Sequence, residues 1–597
     1  MTSRSGAGAR NTPFGEAAPL APALLFLMLV YIGPVAYFLA SSFVGSDGAI
    51  GLQNYARLFG SATYVTTILT TLKLSVATTL LCILIGYPVA YLMANTRAGS
   101  SLVLLVVLPF WTSYLVRTFA WIILLGRNGT INSTLMNLGL IERPLELSYN
   151  VFAVITGMTH AMLPLAILTM LSTMQNIGSH YGRAASTLGA RGAQSFLRIY
   201  LPLSMPGVAA AALMVFIICL GFFVNPALLG SRRETVITQI IIDQLSTSLD
   251  WGFAGAACVL MLCVSLVIVT LYQNLFGMTA VTGMESGRSQ GHARRLVSQG
   301  AIRLSGGLGQ LLSGIGKRGE ALLRAAGLRQ GVGGRGIALK LFVGLVIVFL
   351  IGPVLFLIPV SFTTSSFMRW PPEFFTLRWY KSYLLEPIWA SAILRSLLVG
   401  LGAAIIATAV GTPAAFALVR RRIPGKPALM GFIIIPMVLP HMVLAIALFS
   451  LYARIGLVGS AFGLIIAHAV LAVPLVVITV SSVLRNYDQR LDQAAAVLGA
   501  RPMRVFRTVT LPLIGTGMLS AFIFSFISSF DELTVSLFVT GGLTATLPKQ
   551  MWEDAINQVS PGLAAVSTVI LLGLTVILLF TALYQRRAGS TAIELRG

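Results

Sequence analysis

Residues 188–207 read LGARGAQSFLRIYLPLSMPG, and residues 498–517 read LGARPMRVFRTVTLPLIGTG. The two stretches keep Leu188-Gly189-Ala190-Arg191, Leu201-Pro202 and Gly207 against Leu498-Gly499-Ala500-Arg501, Leu511-Pro512 and Gly517, at one constant offset. Each copy is a basic, glycine-containing segment set between two long apolar runs. Such a match at fixed spacing marks a duplicated unit, and the remainder of the chain is read outward from it.

The 597 residues are 56% hydrophobic and 10% charged, with a mean hydropathy of +0.87. Soluble domains use roughly 45 to 50% apolar residues, so this is the composition of a membrane protein. A crossing needs about 20 mainly apolar residues, because about 1.5 Å of rise per residue must cover roughly 30 Å of hydrocarbon. Runs at 20–43, 67–95, 101–126, 149–176, 203–229 and 252–277 meet that demand, as do 338–362, 392–420, 428–453, 462–486, 513–541 and 561–585. Twelve transmembrane helices are expected. The first eighteen residues are polar, with Arg4 and Arg10, and the apolar run after them is too long for a signal-peptide core, so it is expected to remain as the first span.

The formal charge of +23 raises nucleic acid as a partner. The basic residues, however, gather between the spans, at Arg97, Arg183 to Arg198, Arg288 to Lys340, Arg420 to Lys426, Arg490 to Arg507 and Arg586 to Arg587. All fall on one side if both termini are cytoplasmic, which is a topology signal rather than a nucleic-acid footprint. Cys82, Cys219, Cys258 and Cys263 lie inside spans without metal-like or CxxC spacing and read as reduced packing residues.

Other correspondences extend the repeat. Ile32-Gly33-Pro34-Val35 recurs as Ile351-Gly352-Pro353-Val354, Gly86-Tyr87-Pro88 as Gly411-Thr412-Pro413, and Pro164 and Asn176 as Pro474 and Asn486. Six spans is an even number, so both halves keep one orientation. The fold expected is all-α, with two parallel six-helix repeats at 1–277 and 338–597. The stretch 278–337 between them, rich in Gly, Ser and Arg, reads as a flexible cytoplasmic tether that anionic lipid can attract.

In this frame the repeated stretch is a cytoplasmic loop between the fourth and fifth spans of each half. Ala184-Ala185 and Ala494-Ala495 lead into Gly189 and Gly499, and a second short helix follows, closing at Leu201-Pro202 and Leu511-Pro512. Small residues let another backbone approach. Arg191 and Arg198, with Arg501, Arg504 and Arg507, can meet acidic groups of a partner or anionic headgroups. The spacing of alanines, glycine and Leu-Pro resembles the coupling loop of permease subunits of ABC importers, which docks on the ATP-hydrolysing subunits. That family usually has glutamate where this chain has Arg183 and Gln493, with Asp492 the nearest acid.

A narrower resemblance covers most of the chain outside the N-terminus and the tether. LPFWTSYLVRTFAWIILLGRNGTIN at 108–132 and LGFFVNPALLG at 220–230 resemble the first permease of spermidine/putrescine importers, and SFDELTVSLF at 529–538 with LPKQMW at 547–552 the second. The resemblance implies two permeases fused in one chain, two ABC ATPase subunits and an external solute-binding protein as partners, and a small polar, often cationic solute. No cofactor is expected in this chain and no catalytic residue. Gly316-Lys317-Arg318 has Leu311 where a phosphate loop has its first glycine and lacks the following Ser or Thr. The rival class is a secondary transporter driven by an ion gradient, which would have no use for a duplicated coupling loop.

Charged residues at membrane depth face a pathway or a partner. Asp531 and Glu532 interrupt the eleventh run, and Gly221 and Phe222 stand at the matched place in the fifth. Carboxylates together with Phe222 and Phe223 suit an ammonium group by charge and cation–π attraction, and a helix cap near the outer surface is the competing reading. Trp111, Tyr114 and Arg117 in the third run fit the same route. An interfacial aromatic belt with a snorkelling arginine explains them equally well. His441 stands where the resembled family commonly has an acid, while His160 and His468 read as packing residues.

Overall fold

The computed structural model describes residues 17–276 and 334–576 apart from 46, 97–98, 179, 190–194, 366–369, 371–373, 422, 542–543, 558–559 and 574. Nearly all of the tether therefore lies outside the described residues. Among the described residues, nine helices are long and apolar enough to cross a membrane, among them Ala62–Asn95, Val151–Met174, Pro387–Arg420 and Ala461–Arg485. The twelfth run is described as the shorter helix Pro561–Gly573.

The third and ninth runs, expected as single helices, are sharply bent pairs. Ser101–Phe110 meets Tyr114–Asn137 at 87°, and Lys426–Met437 meets His441–Ile455 at 83°. In the second pair Pro440 supplies no N–H and its ring drives the residue before it out of the helical region, so Leu439 sits at φ −81°, ψ 146°. In the first pair one helix ends at Trp111 and Ser113 caps the next, its Oγ accepting from the Leu115 N–H at 3.3 Å.

The fifth and eleventh runs also break before their expected ends. Leu201–Leu220 stops at Gly221 and Leu511–Phe530 stops at Asp531. The short helices Val224–Leu229 and Thr534–Val539 follow. The glycines that close the repeated motif explain how these helices pack. A Cβ on Gly207 would lie 2.6 Å from Thr173 Cβ, and one on Gly517 would overlap Val483. Each half thus sets a glycine of its fifth helix directly against its fourth, as small residues do where membrane helices approach closely.

The described chain gathers into two compact units that cross the chain order. One combines the helix Ala18–Ser41 with Lys381–Asp554, and the other combines the described residues from Gly45 to Tyr380 with Ala555–Leu571. In the first unit Arg454 lies over the Tyr37 ring at 4.7 Å, and Leu27, Tyr31 and Phe38 are buried. In the second, the helix Ile337–Val360 brings the Leu350 carbonyl to His160 Nε2 at 3.0 Å and Phe349 against Trp121 at 5.4 Å. The opening helix of each sequence half is thus built into the compact unit of the other. Cys82, Cys219 and Cys258 are buried free thiols, while Cys263 is exposed on its helix.

Candidate functional site

Where both are described, the two copies of the repeated stretch fold alike. The helices His180–Thr187 and Arg490–Val497 run into Leu-Gly turns. Gly189 at φ 79° and Gly499 at φ 84° take the left-handed conformation that side chains resist. Their N–H groups donate to Ser186 O and Ala496 O at 3.0 Å each, which closes the helix end. Leu188 and Leu498, at the tips, are each 88% exposed. A leucine left in water at the same place in both copies gives a partner an anchor, worth about 1.5 to 3 kcal/mol if fully buried.

The chain returns through a wide helical turn in each copy. The Leu201 N–H donates to Phe196 O and the Leu511 N–H to Phe506 O, five residues back. Pro202 and Pro512 follow at once. Each lacks the N–H that would reach the carbonyl four residues back, and its ring crowds that carbonyl, so the ladder opens to the longer bond there. Ala184 and Ala494 are exposed, Ala185 is buried and Ala495 half-buried. Arg501 is exposed at the start of the short helix Pro502–Val505. Arg191 lies outside the described residues.

Asp492, the acid beside Gln493, is engaged within its own unit. Its Oδ2 is 2.6 Å from Arg420 Nη1, and its Oδ1 accepts from Tyr487 Oη at 2.6 Å and Thr510 Oγ1 at 2.8 Å. Burial pushes the carboxyl up, but the hydroxyl bonds from Tyr487 and Thr510 and the Arg420 charge outweigh it and hold the group below its ordinary value. The Tyr487 phenol is held above its ordinary value by burial and by its bond to Asp492. Arg420 also lies over the Phe416 and Tyr487 rings at 5.0 and 4.9 Å. Charge sign alone in the sequence marks Asp492 and Arg420. Tyr487 and Thr510 carry no such mark.

The Asp531-Glu532 break has a defined geometry. Asp531 is half-buried and its N–H donates to Ile527 O at 3.0 Å. Glu532 is buried, with Oε1 accepting from the Val535 N–H at 3.1 Å and Oε2 3.5 Å from His441 Nδ1. Beneath them His468 lies against Ser529 Oγ at 2.8 Å through Nδ1 and Ser536 Oγ at 3.3 Å through Nε2. The break is therefore a polar knot of two histidines, two serines and a glutamate. The two serines were not marked by sequence reasoning, since serine at a helix end is common.

In the other unit Phe222 and Phe223 are buried, and the Phe222 ring packs on Tyr114 at 5.4 Å. Arg117 is buried with Nη1 donating to Ala161 O at 3.0 Å, so its guanidinium binds a neighbouring helix backbone instead of reaching out to headgroups. Thr118 donates to Asn225, a buried pair that sequence reasoning did not mark. The Trp111 side chain lies outside the described part.

This is an all-helical membrane permease with a duplicated glycine-turn unit. The chain matches the family described as the binding-protein-dependent transport system inner membrane component over residues 83–277 and again over 407–589, and it belongs to that family. Members are permease components of ABC importers of the inner membrane, not enzymes. It is 33% identical to the spermidine/putrescine transport system permease protein PotB of Haemophilus influenzae over 259 residues, 42% of this chain and 89% of that protein. It is 33% identical to PotC of Escherichia coli over 235 residues, 39% of this chain and 88% of that protein. Relatives of both kinds match one polypeptide, as a fused permease pair requires. A chain of the bacterial alginate ABC transporter, crystallised with an alginate pentasaccharide-bound periplasmic protein, is similar at 21% identity, covering 45% of this chain and 95% of that one, with a TM-score of 0.38.

Proposed function

We propose that this chain forms the whole transmembrane passage of an ATP-driven importer, carrying a small, polar, cationic solute of polyamine type into the cytoplasm. Two ABC ATPase subunits dock on the Leu188-Gly189 and Leu498-Gly499 turns, and an external binding protein delivers the solute. Both termini and the tether are cytoplasmic. The observation that carries the reading is the matched pair of left-handed glycine turns, each presenting a leucine 88% exposed. A partner with two equivalent faces needs two equivalent anchors.

Each unit offers its own chemistry to a cation. Asp531, half-buried where its helix ends, supplies a carboxylate. Tyr114, Phe222 and Phe223 supply ring faces. His441, 3.5 Å from Glu532, favours a second reading in which the solute carries fewer ammonium groups than a polyamine, as an amino-acid derivative does. An imidazole there already faces one of the carboxylates.

The test is reconstitution of the full chain with an ABC ATPase and a solute-binding protein from the same organism. Solute-stimulated ATP hydrolysis coupled to uptake supports the reading, and uptake driven by an ion gradient without ATP overturns it. A thermal-shift screen of the binding protein against polyamines, amino-acid derivatives, opines, phosphonates and ferric iron then separates the solute classes.

A further inference from the structure

The two coupling loops are alike in backbone where both are described, but not in how they are fastened. In the second copy one carboxylate gathers three separate elements. Asp492 lies in the first turn of the coupling helix Arg490–Val497. Arg420 is the last residue of the long helix Pro387–Arg420. Tyr487 follows the helix Ala461–Arg485, and Thr510 ends the wide turn from which Leu511–Phe530 rises. Bonds of 2.6, 2.6 and 2.8 Å therefore run from the coupling helix to the cytoplasmic ends of three apolar helices. The ion pair is mostly shielded, with the Arg420 and Asp492 side chains 21% and 19% exposed. Charge-assisted bonds of this kind hold geometry better than neutral ones, and shielding protects them from screening by salt.

Among the described residues the first copy shows no such fastening. By the constant offset of the motif, Gly182 stands in place of Asp492, Ile177 in place of Tyr487 and Tyr200 in place of Thr510. By the register of Gly86-Tyr87-Pro88 and Gly411-Thr412-Pro413, Asn95 stands in place of Arg420. Asn95 Nδ2 still donates to Tyr200 Oη at 3.0 Å, and Tyr91 packs edge-on against Tyr200 at 5.0 Å and Phe196 at 5.3 Å. That neutral tie joins the helix end to the wide turn. It leaves the coupling helix out, because a glycine offers no side chain to it.

We infer that Asp492 is a positioning residue for energy coupling: with Arg420, Tyr487 and Thr510 it makes the second coupling helix a rigid strut between a docked ATPase and three transmembrane helices, whereas the first coupling helix has no matching carboxylate cluster among the described residues. The inference rests on the docking function proposed above. A strut passes displacement to the spans directly. A loosely held helix follows its partner and transmits less, so the two ATPase sites make unequal contributions to transport.

The test uses the full chain reconstituted with its ATPases and binding protein, measuring ATPase recruitment and solute transported per ATP hydrolysed. Asp492→Asn and Arg420→Gln are each expected to lower that ratio on the order of tenfold, the loss of one charge-assisted bond, with recruitment unchanged. Asp492→Glu is expected to restore most of it. An Asp492→Asn chain that recruits its ATPases and keeps the wild-type ratio overturns the strut alone. A wild-type chain that recruits no ATPase overturns the docking function and the strut together. Should Asp492→Asn fail to accumulate in the membrane, Tyr487→Phe and Thr510→Val each remove one hydrogen bond and leave the ion pair. Both must then lower the ratio in part, and unchanged ratios in both overturn the proposal.

Discussion

Gly221 and Asp531 close their helices with one backbone geometry, φ −91° and ψ 2° at the glycine, φ −91° and ψ 0° at the aspartate. The fold accepts a residue without any side chain at this position in one copy. The Asp531 carboxylate is therefore not required to make the bend.

The first prediction follows from that equivalence. Asp531→Asn keeps the shape and removes the charge, so the chain is expected to fold and insert normally. Transport of a cationic solute is expected to weaken on the order of ten- to a hundredfold, the loss of one charge-assisted contact of about 1.5 to 3 kcal/mol. Glu532→Gln is expected to do less, because an amide oxygen can still accept the Val535 N–H that the carboxylate binds at 3.1 Å. Uptake kinetics at matched protein level provide the check. Unaltered apparent affinity in Asp531→Asn would reduce the residue to a helix cap.

A second prediction concerns pH. The Asp492 carboxyl is held below its ordinary value of 3.8 by Tyr487, Thr510 and Arg420 against the opposing effect of burial. A group with a depressed folded pKa contributes stability that is present above its unfolded pKa and is lost as pH falls through the folded one. The difference in thermal stability between wild type and Asp492→Asn is therefore expected to be constant from about pH 5 to 8 and to shrink only as pH drops below the ordinary carboxyl range. Thermal unfolding of both proteins across that range measures it. A difference that already fades near neutrality would mean the carboxylate is not held by these partners.

The apolar helices and the duplication were legible in the sequence because both are local. Span length depends on a run of neighbours, and the repeat on one offset. The bends were legible only in part. Pro436 and Pro440 flank one bend, yet Pro88, Pro164, Pro413 and Pro474 sit inside helices that continue unbroken. A proline frees a carbonyl, and packed neighbours decide whether the helix survives it. The placing of Ala18–Ser41 with Lys381–Asp554 was not legible at all, since hydropathy says that a helix is buried but not against which neighbour. Asp492 shows the same limit at the scale of a side chain. Its partners lie 72, 5 and 18 positions away, and only the fold brings them to one carboxylate.

The tether gives a third prediction. Each sequence half carries its own copy of the repeated glycine turn and its own match to the family, at 83–277 and 407–589. Cutting the chain near Gly306 and co-expressing the two pieces is expected to restore transport if the tether only raises the local concentration of one half at the other. Co-purification of the pieces followed by uptake measurements is the check. Assembled pieces that do not transport would assign the basic tether a docking or regulatory role.

The last prediction concerns the glycine turns. A Cβ at Gly189 or Gly499 would meet no atom within 4 Å, so space in this chain does not forbid a larger residue at either position. Two costs remain. One is the left-handed backbone at φ 79° and 84°, worth roughly 1 to 2 kcal/mol for an ordinary L-residue. The other is collision with a docked partner. Asparagine tolerates the left-handed region and valine resists it, so the pair separates the two. If docking requires a bare turn, Gly499→Asn is expected to uncouple ATP hydrolysis from transport nearly as strongly as Gly499→Val, with insertion unchanged. If the backbone alone matters, Gly499→Asn is expected to behave as wild type and only the valine variant to fail. The same two changes at Gly189 are expected to differ in size from those at Gly499, because Arg183 flanks one docking corner and Gln493 the other. Solute-stimulated ATP hydrolysis and uptake, measured together for all four variants at matched membrane levels, decide between the costs. Normal coupling in every one of them would remove these turns from the docking surface.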